Sequence, residues 1–196
     1  MDTLVIDPFF QGFERDLFGL DGGVKELFEI KDQDSFVAFE CGHISEDEHF
    51  RTYFNDRRPV EGASIRAYLR QRYAWCPGML ELCQELKGHG VALATCSNYP
   101  AEWASLIEDA LGLSDLVPWA FISGEVGVRK PAWEAFEAAL TIVDRSADEV
   151  VFVDDSVTNV AAAEKFGIRS IHFNGAKALR PILFDVLGLP MPKAAL

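Results

Sequence analysis

The sequence lacks the features that would direct it to a membrane or to nucleic acid. No apolar run approaches the roughly 20 residues that a helix needs to span a bilayer. The 196 residues include only 18 Lys and Arg against 31 Asp and Glu, which gives a formal net charge of -13. A chain this acidic is repelled by nucleic acid and by anionic lipid. We therefore expect neither partner, and an anionic ligand would need a local cationic site.

Cysteine is also scarce. The four cysteines form no CxxC pair, and no basic segment followed by an apolar one marks a secretion signal at the N-terminus. We expect an intracellular soluble protein, in the cytoplasm or, if a targeting segment is missing from this sequence, in an organelle. A chain of 196 residues can bury about 70% of its unfolded surface around a single core.

From residue 78 onward, helix and strand patterns alternate in the way that builds a parallel sheet covered by helices. This alternation predicts an α/β core of doubly wound, Rossmann-like type. The predicted strands cover residues 91–95, 120–122, 150–153 and 169–173, and amphipathic helices lie between them.

Residues 11–75 differ from the rest, since they are rich in aromatic and charged side chains and contain no convincing buried strand. Within them, Ser45 and Glu48 form a capping-box pattern, in which each side chain accepts from the backbone N–H of the other residue. We interpret this segment as a small helical cap. The α/β core would then comprise residues 1–10 and 76–196.

Polar side chains follow three of the predicted core segments, where the carboxyl ends of parallel strands place chemistry. Ser97 and Asn98 follow one strand, Lys130 precedes a helix, and Asp154 and Asp155 close a buried strand. Each group also has a structural interpretation, as a helix cap or a solvated surface charge. Two adjacent acids repel each other unless a cation lies beside them, which favours a metal site.

In order and spacing, these groups resemble the motifs of the haloacid dehalogenase superfamily, whose members are mostly phosphatases that form an aspartyl-phosphate on Mg²⁺. Ser97 resembles the second motif, Lys130-Pro131 the third and Asp154-Asp155 the fourth. The larger pattern MDTLV-x-DPF, FE-x-G-x-I, SNYP, G-x-RKP and F-x-DD is similar to the flavin mononucleotide (FMN) hydrolases of plant plastids. The resemblance covers nearly the whole chain and implies a small phosphorylated metabolite, such as FMN, as the substrate.

The resemblance also implies a role for each residue. Ser97 would donate a hydrogen bond to a phosphoryl oxygen, and Asn98 would contact the substrate. Lys130 would offset the negative charge that the phosphate shares with the attacking carboxylate. Asp154 and Asp155 would bind the metal, and oxygen-only ligation suits Mg²⁺ rather than zinc.

The first motif of the family, Asp-x-Asp-x-Thr/Val, can be aligned in two registers. If Asp7 is the nucleophile, Phe9 takes the acid/base position and Gln11 the Thr/Val position, which fits poorly. If Thr3 takes the hydroxyl position and contacts the substrate, Met1 takes the acid/base position and the nucleophile lies two residues before Met1. The second register is favoured.

The favoured register leads to the hypothesis that the sequence is an N-terminally shortened phosphatase without its nucleophile and the strand that leads to it. Whether this chain is active as written is therefore open. One alternative is a metal-free 2-haloacid dehalogenase, which shares an Asp nucleophile, a lysine and a Ser-Asn segment. Another is a non-catalytic relative that binds the ligand. The adjacent acids Asp154 and Asp155 favour the metal-dependent enzyme over the dehalogenase.

Overall fold

The first part of the structure is helical. The structure, a computed structural model, describes residues 1–190. Between residues 11 and 75 the described backbone forms five helices and no strand ladder. These helices are α1 (Phe13–Phe18), α2 (Gly23–Ile30), α3 (Gln33–Glu40), α4 (Glu46–Thr52) and α5 (Gly62–Arg72).

Side-chain caps set where two of these helices begin. The carboxylate of Asp32 accepts from the backbone N–H of Ser35 at 2.9 Å and starts α3. The hydroxyl of Ser45 accepts from the N–H of Glu48 at 3.2 Å and starts α4. The reciprocal bond from Glu48 to the Ser45 backbone is not formed, so only half of the predicted capping box is present. Each cap satisfies one N–H that the first helical turn leaves without a partner.

The second part alternates helices with short strands. Among residues 1–190, none of the helices is both long and apolar enough to cross a membrane. The elements are α6 (Met79–Gly88), β1 (Cys96–Ser97), α7 (Ala101–Leu111), β2 (Phe121–Ile122), α8 (Ser123–Val126), α9 (Trp133–Val143), β3 (Val151–Asp154), α10 (Val157–Phe166), β4 (Arg169–His172) and α11 (Ala176–Val186).

The described strands form two parallel pairs. β1 pairs with β2, and Cys96 lies opposite Phe121. β3 pairs with β4, and Asp154 lies opposite His172 at the end of the ladder. Parallel strands joined by helices confirm the predicted α/β fold.

The strand predicted over residues 91–95 is wrong in its extent, because the ladder begins only at Cys96. Thr95 precedes the ladder and already exchanges backbone hydrogen bonds with Pro118 at 3.0 Å and Phe121 at 3.1 Å. Residues 91–94 are apolar enough for a strand but form no ladder among the described residues. The apolar composition therefore predicted a longer paired strand than the structure forms.

One hydrophobic core extends through both parts of the chain. Leu27, Phe39 and Ile65 from the helical segment are at most 2% exposed and belong to the same buried cluster as Leu106 and Ile107 of α7. Burying such side chains contributes about 1.5–3 kcal/mol each. The helical segment is therefore attached to the α/β part by apolar packing.

Just after α3, the backbone approaches the second part of the chain very closely. Gly42 has a φ of +69°, and a Cβ placed on it would lie 2.2 Å from the carbonyl oxygen of Gly124. Beside this contact, the buried hydroxyl of Ser123 donates to the carbonyl of Glu40 at 2.6 Å and accepts from the N–H of Tyr99 at 2.9 Å. Ser123 thus joins α3 to the loop after β1.

We expect Ser123→Ala to destabilise the protein by about 1–3 kcal/mol, because it leaves the buried N–H of Tyr99 and the carbonyl of Glu40 without this partner. Urea unfolding measures the loss. Ser105→Ala is the matched control, since Ser105 is exposed and bonds only its own helix. Equal stabilities of the two variants would contradict this role of Ser123.

His49 is fully buried inside the helical segment. Its ring stacks on Phe39 with a centroid distance of 4.8 Å and an interplanar angle of 12°. Its Nδ1 lies 2.9 Å from the hydroxyl of Ser35. Burial and, to a lesser extent, the nearby charge of Lys31 lower the pKa of His49 to about 3, while Asp32 has the opposite effect. The folded protein therefore holds His49 neutral.

The lowered pKa of His49 predicts a loss of stability in acid. Between about pH 6.5 and the folded value of about 3, the unfolded chain binds more protons than the folded one, so stability falls as the pH falls. We expect His49→Gln to reduce the change in urea midpoint between about pH 7.5 and about pH 5. The exposed His43 provides the control His43→Gln, which should keep the wild-type pH dependence. An unchanged dependence in His49→Gln would contradict the assignment.

Candidate functional site

A cavity of about 330 Å³ lies between the helical segment and the carboxyl ends of β1 and β3. The helical segment provides mostly aromatic walls. The opposite side is polar and contains Asn98, Lys130, Asp154 and Asp155. Four of the residues singled out in the sequence thus line one cavity, although they lie far apart along the chain.

The centre of the polar side is a buried ion pair. Nζ of Lys130 lies 2.6 Å from Oδ2 of Asp154, and the two residues are 4% and 6% exposed. The same ammonium donates to the backbone carbonyl of Cys96. A buried charge is tolerated only when it is paired and hydrogen-bonded. The pair therefore holds the lysine ammonium in one orientation at the cavity.

Asn98 fixes the loop that carries Lys130. Its Oδ1 accepts from the backbone N–H of Lys130 at 2.8 Å, and its Nδ2 donates to the carbonyl of the same residue, also at 2.8 Å. Both ends of the amide are used in these contacts. Asn98 thus positions Lys130, and its predicted contact with substrate remains a prediction.

The two adjacent acids have different surroundings. Beyond its pairing with Lys130, Asp154 uses Oδ1 to accept from the N–H of Ser156 at 2.8 Å and from Nδ2 of Asn159 at 3.0 Å. Asp155 is exposed, and its Oδ1 accepts from the hydroxyl of Thr3 at 3.0 Å. The N–H of Asp155 in turn donates to the Thr3 hydroxyl at 3.1 Å. Thr3 and Asp155 therefore hold each other by two hydrogen bonds.

These surroundings decide how well the acids fit Mg²⁺. No group of three or more His, Cys, Asp or Glu within residues 1–190 is placed to hold a metal ion. Mg²⁺ commonly takes one or two carboxylates and completes its shell with water and substrate phosphate. Asp155 lines the cavity, and its Oδ2 accepts no hydrogen bond from the described residues. The donor set fits Mg²⁺ through Asp155, while both oxygens of Asp154 are already engaged.

Asp7 also lines the cavity, but it has a local structural role. Its Oδ1 accepts from the N–H of Phe9 at 2.9 Å and caps a short 3-10 helix, Pro8–Phe10. Burial raises the pKa of Asp7, and the bond from Phe9 opposes this increase. Within the described residues, no ion pair joins Asp7 to Lys130. Of the two residues on which the first motif can be aligned, Thr3 contacts Asp155.

Ser97 is the one predicted residue of the second motif that does not line the cavity. It lies in β1, where it pairs with Ile122, and its neighbour Asn98 lines the cavity instead. Its predicted bond to a phosphoryl oxygen therefore remains a prediction.

Four charged cavity residues were not identified as site residues from the sequence: Asp2, Lys31, Glu40 and Arg129. Arg129 and Glu40 approach to 2.9 Å across the two parts of the chain, without the alignment of a hydrogen bond. Burial raises the pKa of Glu40, and Arg129 counteracts this. Glu40 and Arg129 both belong to the patterns FE-x-G-x-I and G-x-RKP, which is the signal that could have found them. Lys31 had no such signal.

Comparisons with known proteins identify a matching family and two similar relatives. A family model described as haloacid dehalogenase-like hydrolase matches residues 23–167. Flavin mononucleotide hydrolase 1, chloroplastic, of Arabidopsis thaliana is 34% identical over 98% of this chain and 78% of that protein. Sesquiterpene phosphatase astK of Aspergillus oryzae is 32% identical over 84% of this chain and 85% of that protein.

The fold agrees with a solved structure as well. A haloacid dehalogenase family enzyme of Bacteroides thetaiotaomicron, crystallised with magnesium and inorganic phosphate, has a TM-score of 0.68 at 20% identity and covers 88% of this chain and 90% of that one. At that identity the likeness concerns the fold alone. The family match over most of the chain and the similarity to the Arabidopsis hydrolase lead to one conclusion: the chain belongs to the haloacid dehalogenase-like hydrolases.

Proposed function

We propose that the protein is a Mg²⁺-dependent phosphomonoesterase that acts on a small organic phosphate. The observation that carries the proposal is the buried Lys130–Asp154 pair next to Asp155 and Thr3, on one side of a cavity. A cation held beside an open carboxylate suits a phosphate bound together with a metal ion. Two relatives at 34% and 32% identity are named as a mononucleotide hydrolase and a phosphatase.

Each residue of the site would have its own role in phosphoryl transfer. Lys130 would donate to the phosphate and offset its negative charge, and Asp154 would keep its ammonium in place. Asp155 would hold Mg²⁺, with Thr3 fixing the orientation of its carboxylate. Mg²⁺, when bound, neutralises charge on the transferred phosphoryl oxygens. Asn98 would position the Lys130 loop without touching the reacting atoms.

The contact between Thr3 and Asp155 supports the register in which Thr3 belongs to the first motif. In that register the nucleophile is encoded upstream of Met1, and Asp7 acts as a cap of the short helix that follows it. The alternative register makes Asp7 the nucleophile. Asp7 lines the cavity, as that register requires.

The aromatic walls favour a substrate with a flat ring. Phe9, Tyr53 and Tyr73 line the cavity together with Tyr99 and Trp103. Aromatic side chains gain about 0.5–1.5 kcal/mol by stacking or edge contacts with another ring. We propose FMN as the substrate, in agreement with the name of the Arabidopsis relative.

We expect Lys130→Met to lower kcat for FMN or an aryl phosphate by at least about 100-fold, because it removes the cation that stabilises the transferred phosphoryl group. Phosphate release with and without Mg²⁺, in proteins expressed from the full open reading frame, measures the effect. Lys25→Met, at an exposed lysine of α2, is the control and should keep the wild-type rate.

A double substitution distinguishes the loss of a catalytic group from the loss of folding. Lys130→Met alone leaves Asp154 buried without its partner, at a cost of about 3–5 kcal/mol. Lys130→Met combined with Asp154→Leu removes both charges and should recover most of the urea midpoint without recovering activity. If the double variant regained activity, Lys130 would not be catalytic. Release of halide from 2-haloacids without metal would support a dehalogenase instead.

The identity of the nucleophile is tested by Asp7→Asn in protein expressed from the full open reading frame, with any in-frame codons upstream of Met1 included. In the Thr3 register we expect kcat to fall less than about 10-fold, since Asp7 provides only a cap worth about 1 kcal/mol. Trapping the phosphoenzyme and locating the phosphate by mass spectrometry identifies the attacking residue. A phosphate on Asp7, or complete loss of activity, would establish the Asp7 register.

A further inference from the structure

The side chain of Lys31 is buried in the helical segment and lines the same cavity. It is 3% exposed, and its Nζ lies 3.8 Å from the ring centroid of Phe36, 4.5 Å from that of Phe9 and 5.1 Å from that of Tyr53. We call these rings the Lys31 cage. All three rings line the cavity too. The ammonium thus lies among three aromatic rings in the wall of the cavity.

No hydrogen bond or ion pair satisfies this ammonium within residues 1–190. Asp7 and Glu40 attract it through space, but neither lies within 4.0 Å of it. Asp7 bonds the N–H of Phe9, and Glu40 pairs with Arg129. An ammonium has three N–H donors, and aromatic faces compensate for the missing acceptors only in part. Burial accordingly lowers the pKa of Lys31 to about 7.

The backbone around Lys31 is held firmly, which gives its side chain a defined position. Lys31 forms an antiparallel bridge with Phe54. The N–H of Asp32 donates to Tyr53 at 2.8 Å, and that of Asn55 donates to Ile30 at 2.9 Å. Lys31 is therefore a fixed donor at the cavity, on the helical side, whereas Lys130 lies on the polar side.

We propose that Lys31 is a specificity-determining residue, whose ammonium donates a hydrogen bond to an acceptor oxygen on the leaving group of the substrate. The proposal rests on the proposed phosphomonoesterase function and specifies the class of leaving group. A leaving group that matches three unused donors inside an aromatic cage is a flat ring that carries carbonyl oxygens. The isoalloxazine ring of FMN has this chemistry.

The charges of the cavity favour a neutral acceptor over a second anion. Five acidic side chains line the cavity against three cationic ones. Lys130 and Arg129 are already paired with acids. A leaving group with its own carboxylate would add to the excess negative charge, whereas a carbonyl oxygen accepts from Lys31 without adding charge.

An entirely apolar leaving group should be disfavoured as well. It would cover the ammonium of Lys31 and offer it no acceptor, and a buried donor without a partner is costly. A site built around such a donor discriminates strongly against ligands that lack the matching acceptor. The wild-type protein should therefore prefer FMN to a prenyl phosphate.

The test compares wild type, Lys31→Met and the control Lys25→Met, each expressed from the full open reading frame, on FMN and farnesyl phosphate with Mg²⁺. Methionine fills the cage at similar volume without a donor. We expect Lys31→Met to lower kcat/KM for FMN by about 10- to 100-fold and to leave or raise that for farnesyl phosphate. Lys25→Met, at an exposed position on the preceding helix, should match wild type on both esters.

The proposal is overturned if Lys31→Met changes kcat/KM for the two esters by the same factor, or changes neither. If wild type hydrolyses no phosphate ester, the proposed function fails, and riboflavin binding followed by flavin fluorescence then tests Lys31 by itself. In that case a dissociation constant about 10-fold weaker in Lys31→Met than in wild type supports the proposal. Equal binding, or no binding by wild type, overturns it.

Discussion

The buried contact between Lys130 and Asp154 is the interaction on which the polar side of the cavity depends. It joins a loop that follows β2 and α8 to the end of β3, and each partner makes further hydrogen bonds that only the folded chain supplies. Because an isolated charge could not remain there, the two segments must come together for either to be buried. Asn98 adds a third segment through its two bonds to the backbone of Lys130. Three stretches that are distant in sequence are thus held in one geometry.

The aromatic side of the cavity is built on a different principle. Most of its rings come from the helical segment, and Phe13, Tyr53 and Tyr73 among them belong to the hydrophobic core. Lys31 is the exception, a charge among rings without an acid at bonding distance. The polar side therefore pairs its buried lysine and leaves Oδ2 of Asp155 open, while the aromatic side keeps an ammonium with unused donors. That asymmetry fits a substrate with a charged end and a ring-like end.

Sequence patterns predicted the α/β fold and the helices of the core well, because apolar periodicity and residues such as Gly167 act locally. The pattern also selected Lys130 and Asp154, which the structure brings together. Asp154 and Asp155 were both predicted as metal ligands, because the sequence of two adjacent aspartates does not indicate which of them faces a lysine. Lys31 was not found at all, because its burial depends on rings brought from elsewhere in the helical segment.

The near-contact of Gly42 with Gly124 has a mechanical consequence. Because a side chain of any size at position 42 would collide with the carbonyl of Gly124, a substitution there would have to push the helical segment away from the α/β part. Glu40, two residues away, contacts Arg129 across the same boundary, so that displacement would also lengthen the Glu40–Arg129 ion pair at the cavity.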